Sequence, residues 1–181
     1  MQYTSTFIRS LYSPGFASMM TWFFNTNLTI GFTPWTQKNY SGFDQYDKNK
    51  FISTSIDYEK ASTLYLLAKN VIDGKIAGQF QHQIECNKQA TLTFELKPDQ
   101  SGEMRSYLTL SKNGEQIQFL FSVQKCCITG SDGKREIQVL HTGLGVFAMT
   151  LEGYLSAVGA SNHLGKLTDA ELGDPQAVMS N

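Results

Sequence analysis

Along residues 104–124 apolar and polar positions alternate on either side of Asn113-Gly114. That dipeptide readily supplies the two positive-φ positions of a type I′ turn, so the pattern predicts a β-hairpin. Pairing outward from the turn sets Lys112 opposite Glu115, Leu110 opposite Ile117, Leu108 opposite Phe119 and Tyr107 opposite Leu120. Met104, Leu108, Leu110, Ile117, Phe119, Phe121 and Val123 then share one face, which must be covered. The other face carries Arg105, Tyr107, Thr109, Ser111, Gln116, Gln118, Leu120 and Ser122. Such a surface suits a ligand with a π-face and a phosphate backbone. It is equally the solvated side of an ordinary sheet.

The rest of the chain is read the same way. Residues 1–17 are extended or irregular, with a turn at Pro14-Gly15. Residues 19–25 and 28–33 read as two strands. A three-residue loop around Thr26 aligns Phe24 with Leu28, Trp22 with Ile30 and Met20 with Phe32, which places Trp22 inward and Phe23 outward; a two-residue loop would change these pairings. Residues 51–56 form a short strand, and Asp57 is a good N-cap for a helix from Tyr58 to about Ile72. Ala61, Leu64, Tyr65, Ala68, Val71 and Ile72 recur at helical spacing and form its buried stripe; Gly74 follows where a left-handed cap is expected. Period two then returns at 80–86 and 91–97, where Thr91, Thr93, Glu95 and Lys97 point outward. After the long hairpin, a turn at 130–133 leads to a strand at 136–141, with Ile137 and Val139 inward. A last helix, about 145–158, is apolar around most of its circumference and calls for burial on several sides or a subunit interface.

The order is three or four strands, a helix, four strands and a helix. That predicts an α+β fold, antiparallel sheets with helices packed on one face, in which a strands-then-helix unit is given twice. One domain, 1–166, is followed by a segment, 167–181, that holds Asp169, Glu171, Asp174 and Pro175 and no base. The segment reads as a mobile acidic tail: an ordinary frayed terminus, or one that recruits partner proteins or competes with an anionic ligand.

Residues 34–50 follow neither period. Trp35, Tyr40, Phe43 and Tyr46 are interleaved with Lys38, Lys48 and Lys50, and Gly42 permits a sharp bend. Rings between lysines are what binding of a single strand requires, since each ring offers a platform worth about 1–3 kcal/mol per base and each ammonium neutralises a phosphate. The other reading is a loop whose rings fold back over one end of the core. The candidate nucleic-acid contacts are therefore Trp35, Lys38, Tyr40, Phe43, Tyr46, Lys48 and Lys50 from this stretch, with Lys97, Arg105, Tyr107 and Lys112 from the sheets.

Composition bounds the rest. The chain has 181 residues, 41% hydrophobic and 17% charged, which is enough to bury a full core. Its net charge of −1 gives no global attraction to polyanions, so affinity per subunit would be modest and salt-sensitive, and occupancy would need oligomers or cooperativity. Cys86, Cys126 and Cys127 have no metal spacing, and their odd number fits free thiols in a reducing, cytoplasmic setting. No secretory leader and no membrane span is legible. His82, His141 and His163 lie far apart, Gly143 and Gly145 make only a fragment of a dinucleotide fingerprint, and Asp44 and Asp47 read as turn-forming aspartates. No catalytic residue, cofactor or metal is assigned.

Four segments, 23–35 (FFNTNLTIGFTPW), 50–62 (KFISTSIDYEKAS), 91–100 (TLTFELKPDQ) and 143–160 (GLGVFAMTLEGYLSAVGA), resemble the single-stranded DNA-binding protein family of crAss-like tailed phages of gut Bacteroidales. The doubled strands-then-helix order is similar to the Whirly fold, a group of single-stranded nucleic-acid-binding proteins that commonly form oligomers. The lysine-glycine-lysine-glycine element of plant Whirly proteins is absent, so no ligand-contacting position is carried over from them. The resemblance spans residues 17–166 and implies a homo-oligomer that coats unpaired DNA in phage replication or recombination, with the host cytoplasm as its location. A transcription regulator or RNA binder on the same fold, or a structural protein-interaction module, are the alternatives.

Overall fold

The computed structural model describes residues 6–171 apart from positions 25, 40, 88 and 132. Strands β1 (Thr6–Ser13), β2 (Ala17–Phe24), β3 (Asn27–Lys38), β4 (Asp44–Tyr46) and β5 (Ile52–Ile56) build a first antiparallel sheet. Its order is β1-β2-β3, with both β4 and β5 paired to β3. Helix α1 (Tyr58–Ile72) follows, then β6 (Phe80–Cys86), β7 (Ala90–Pro98), β8 (Met104–Lys112) and β9 (Glu115–Leu120), a second antiparallel sheet in sequence order. A separate hairpin of β10 (Gln124–Gly130) and β11 (Gly133–Leu140) leads into helix α2 (Thr142–Glu171). The fold is α+β, with antiparallel sheets and a strands-then-helix unit given twice.

The β8–β9 hairpin has the register its sequence predicts, from Lys112↔Glu115 to Tyr107↔Leu120. Asn113 and Gly114 both take positive φ, 52° and 81°, as a type I′ turn requires. Leu108, Leu110, Ile117, Phe119 and Phe121 are buried on its inner face. Helix α1 is also as read: the Asp57 carboxylate accepts from the Lys60 amide at 2.9 Å, and Gly74 sits just past the C-terminus at φ +70°.

The strand runs are longer than the sequence reading, five and then six among the described residues rather than three or four and then four, and three further features differ. Between β2 and β3, Phe24 pairs Asn27, so Phe23 pairs Leu28, Thr21 pairs Ile30 and Met19 pairs Phe32. That one-residue slip turns Met19, Thr21 and Phe23 inward and Trp22 outward, the reverse of the three-residue-loop expectation. Residues 34–50 are mostly a hairpin arm, because β3 runs straight on past Pro34 and β4 folds back on it, Trp35 opposite Tyr46 and Lys38 opposite Asp44. A bulge between Trp35 and Gln37 hides the period of two. Helix α2 continues well beyond Val158, through residues with no proline to stop it, and so overlaps the start of the segment read as a tail; 172–181 lie outside the described residues.

One core joins all layers. The inner faces of the two sheets meet where Phe32 approaches Phe119 at 6.5 Å, and a chain of rings continues through Phe121 to Phe147 on α2. Each such buried side chain contributes about 1.5–3 kcal/mol, against roughly 0–1 kcal/mol for an exposed ion pair, so apolar packing holds the sheets together. The helices pack on each other, with the Tyr65 hydroxyl donating to Glu152 at 3.3 Å and the buried Tyr154 hydroxyl donating to the Thr26 carbonyl. With these inner faces filled, what the described residues offer a ligand are outer faces and edges.

Candidate nucleic-acid interface

Strand alternation decides what the outer face of the first sheet displays. Ser10 and Tyr12 on β1 stand opposite Met20 and Ser18 on β2; Met20, Trp22 and Ser18 stand opposite Gly31, Thr29 and Thr33 on β3. Ser53 and Ser55 of β5 complete the rows beside Gly31 and Thr29. Trp35 and Tyr46 extend the same face into the arm. The result is a field of small hydroxyl side chains from which Tyr12, Trp22, Trp35, Tyr46 and Phe51 rise.

Four of those rings form two pairs. Trp22 and Phe51 lie nearly parallel, 6.2 Å apart with 26° between their planes. The Phe51 ring rests on Gly31, where an added Cβ would meet Phe51 Cζ at 2.4 Å. Glycine at 31 is what lets the ring lie flat on the sheet. Tyr12 and Tyr46 are 5.7 Å apart and tilted. Between the pairs runs a cleft of about 540 Å³ lined by Ser10, Tyr12, Met20, Tyr46, Lys48 and Phe51. Tyr12 is 64% exposed, Met20 40% and Phe51 38%. Burial, with Asp44 and Tyr12 nearby, raises the Tyr46 pKa, so its phenol stays neutral.

The arm places further groups beyond the cleft. The Asn39 side chain accepts from the Ser41 and Phe43 amides at 3.0 and 2.9 Å and shapes the tip. Phe43 projects from that tip at 71% exposure. The Trp35 indole N–H is held by Asp44 at 2.8 Å, fixing the ring at the root of the arm. Lys38 and Lys48 are exposed and form no ion pair among the described residues; Lys50 reaches Asp47 only at 4.0 Å. Tyr40 lies outside the described residues.

The second sheet treats its candidates differently. Tyr107 is on the outer face but only 5% exposed, packed at 6.1 Å from Phe16 with Lys97 Nζ 4.9 Å over its ring. It contributes to the wall of a shallow cleft of about 670 Å³ beside the 98–101 turn rather than a free platform. Lys97 is itself paired to Glu95 at 3.1 Å. The Arg105 guanidinium is held by Asp99 at 3.1 Å and Glu103 at 2.9 Å. Lys112 donates to the Ser53 carbonyl at 2.6 Å, tying the second sheet to the edge of the first. Sequence reading grouped these cations with the lysines of the arm; the structure gives each of them a protein partner.

Thus Trp35, Phe43, Tyr46, Lys38, Lys48 and Lys50 belong to one face and its arm, while Lys97, Arg105, Tyr107 and Lys112 do not. Tyr12, Met20, Trp22 and Phe51, which the sequence reading does not single out, share that face. The signal for three of them was the alternation in β1 and β2, which becomes readable only when the two-residue connection sets the register. No protein-family model matches the chain, and no curated protein matches it. Among solved structures, that of the plant transcriptional regulator PBF-2 is similar over 96% of this chain and 97% of its own, at 12% identity and a TM-score of 0.43. No helix of the described residues is long and apolar enough to cross a membrane, and none of their His, Cys, Asp and Glu side chains group as a metal site would.

Proposed function

We propose that the chain binds single-stranded DNA on the outer face of its first sheet and along the adjoining arm, without strong sequence preference. The observation that carries this is the set of exposed rings, Tyr12, Phe51 and Phe43, beside Lys38, Lys48 and Lys50. Bases would stack on the rings, and ammonium groups at the arm would neutralise phosphates. The surrounding serines and threonines offer hydrogen bonds to any base edge, which favours tolerance over discrimination. Nothing in this arrangement calls for catalysis. The four segments similar to the DNA-binding proteins of crAss-like phages support a coating role in phage replication or recombination.

Fluorescence anisotropy with labelled oligo-dT tests the reading. Tyr12→Ala with Phe51→Ala is expected to weaken binding by roughly 30-fold or more, from two stacking contacts of about 1–3 kcal/mol each. Tyr107→Ala is expected to leave affinity within about twofold if the protein remains folded. Unchanged affinity in the double variant would remove the first sheet from the interface. Preference for duplex or RNA in competition would favour a regulator or RNA binder instead.

A further inference from the structure

Strand β6 is a sheet edge that lacks the bulge, proline and lysine that commonly keep edges from pairing. It spans Phe80–Cys86 and pairs with β7 in unbroken register from Phe80↔Leu96 to Cys86↔Ala90, with no bulge. It contains no proline and no lysine, and Glu85 is its sole carboxylate. Its other side meets no backbone partner among the described residues. Elsewhere the molecule does guard an edge, since the Lys112 ammonium occupies the Ser53 carbonyl of β5. A straight, uncapped strand of seven residues is a template for another strand.

We propose that the occupant is a second copy of this chain, β6 against β6, antiparallel about a two-fold axis at Gln83. The side chains match in that register. Gln83 meets the second copy's Gln83, and Gln81 meets the second copy's Glu85, an amide donor facing a carboxylate, with no like charges opposed. The outward rows are already ladders of hydrogen-bonding groups: Gln83 stands beside Thr93, Thr93 beside Thr109, and Thr109 beside Gln118. The two-fold carries that row across the junction, giving one eight-stranded sheet. On the inner side Phe80 and His82 are half-buried, with their rings parallel at 6.4 Å, and Cys86 is half-buried too. In the same register Phe80 meets the second copy's Cys86, and His82 meets its Ile84, so the pairing covers apolar surface that one copy leaves open. The interface is isologous, as a two-fold requires, and it leaves the outer face of the first sheet untouched.

Sedimentation equilibrium of the full chain, without DNA, tests this through two substitutions of opposite sign. Gln83→Lys puts like charges face to face at the axis and is expected to weaken dimerisation roughly tenfold. Gln81→Lys sets an ammonium against Glu85 twice per dimer and is expected to tighten it roughly fivefold. Both positions are exposed on the outer face, so neither change disturbs the core, and circular dichroism checks that each variant is folded. A wild-type chain that stays monomeric at the highest concentration reached overturns the proposal. So does a dimer indifferent to both substitutions, which would point to another surface such as α2, or one weakened equally by both, which would exclude this register.

Discussion

Asp99 shows how one side chain organises a turn. Its carboxylate accepts from the Ser101 hydroxyl at 2.6 Å, from the Ser101 and Glu103 amides at 2.8 and 3.1 Å, and from Arg105 at 3.1 Å. The Ser101 hydroxyl above all, with Arg105 and the two amides, lowers its pKa from 3.8 to about 2. Because the folded value lies below the unfolded one, this contribution is complete above pH 3.8 and is lost as the pH falls toward 2. Asp99→Asn is expected to flatten the pH dependence of the urea midpoint in that window, measured by tryptophan fluorescence. Gly143 is the other residue with a sharp requirement. A Cβ there would meet the Ser122 amide nitrogen at 2.7 Å, where the Gly143 amide donates to the Ser122 carbonyl at 2.9 Å. Backbone cannot move aside as a flexible side chain can, so Gly143→Ala is expected to cost about 1–3 kcal/mol in chemical denaturation. Gly31→Ala has only side chains in its way, the Phe51 ring at 2.4 Å and Trp22 at 3.2 Å, and is expected to cost less stability while lifting the Phe51 ring from the sheet.

At the scale of elements, the α1 cap and the β8–β9 hairpin were legible because their signals are local. Asp57 before an apolar stripe, and Asn113-Gly114 between alternating runs, each name a geometry that neighbouring residues can satisfy. Asp57→Ala is expected to lower stability by about 1 kcal/mol, read as a shift in urea midpoint with unchanged slope. The β2–β3 register was not legible, since two- and three-residue connections both fit residues 24–28, and only packing of Met19 against Phe32 and of Phe23 against Tyr154 chooses between them. The arm escaped for a similar reason. A bulge breaks its alternation, and its pairing depends on the contact between Trp35 and Asp44, nine residues apart. The aromatic face follows from that register, so it became visible only with the fold.

The molecule as a whole carries a net charge of −1, and binding of an anionic polymer must therefore come from local placement of cations. In the second sheet Lys97 and Arg105 are committed to carboxylates and Lys112 to a carbonyl, whereas Lys38 and Lys48 form no ion pair among the described residues. Replacing Lys38, Lys48 and Lys50 together by alanine is expected to reduce the slope of log K against log salt for oligo-dT by about 2, at roughly 0.7 per phosphate contact on a single strand. A slope that did not change would move the phosphate contacts elsewhere. The doubled strands-then-helix plan was readable from the order of periods along the chain, but its two outer faces look alike in sequence. They part company in the folded state because one sheet spends its ring and cations on internal contacts, as Tyr107, Lys97 and Arg105 do, and the other leaves Tyr12 and Phe51 uncovered.

Strand β3 serves both the core and the arm without interruption. Inserting or deleting one residue between Leu28 and Trp35 would rotate every later position by half a turn, exposing the inner residues and spinning the arm upside down together. Changes in length are tolerable only at the far end, between Asn39 and Phe43. Among relatives, the reach of this finger should vary while its root stays the same length, much as a crane extends at the boom and never at the mast.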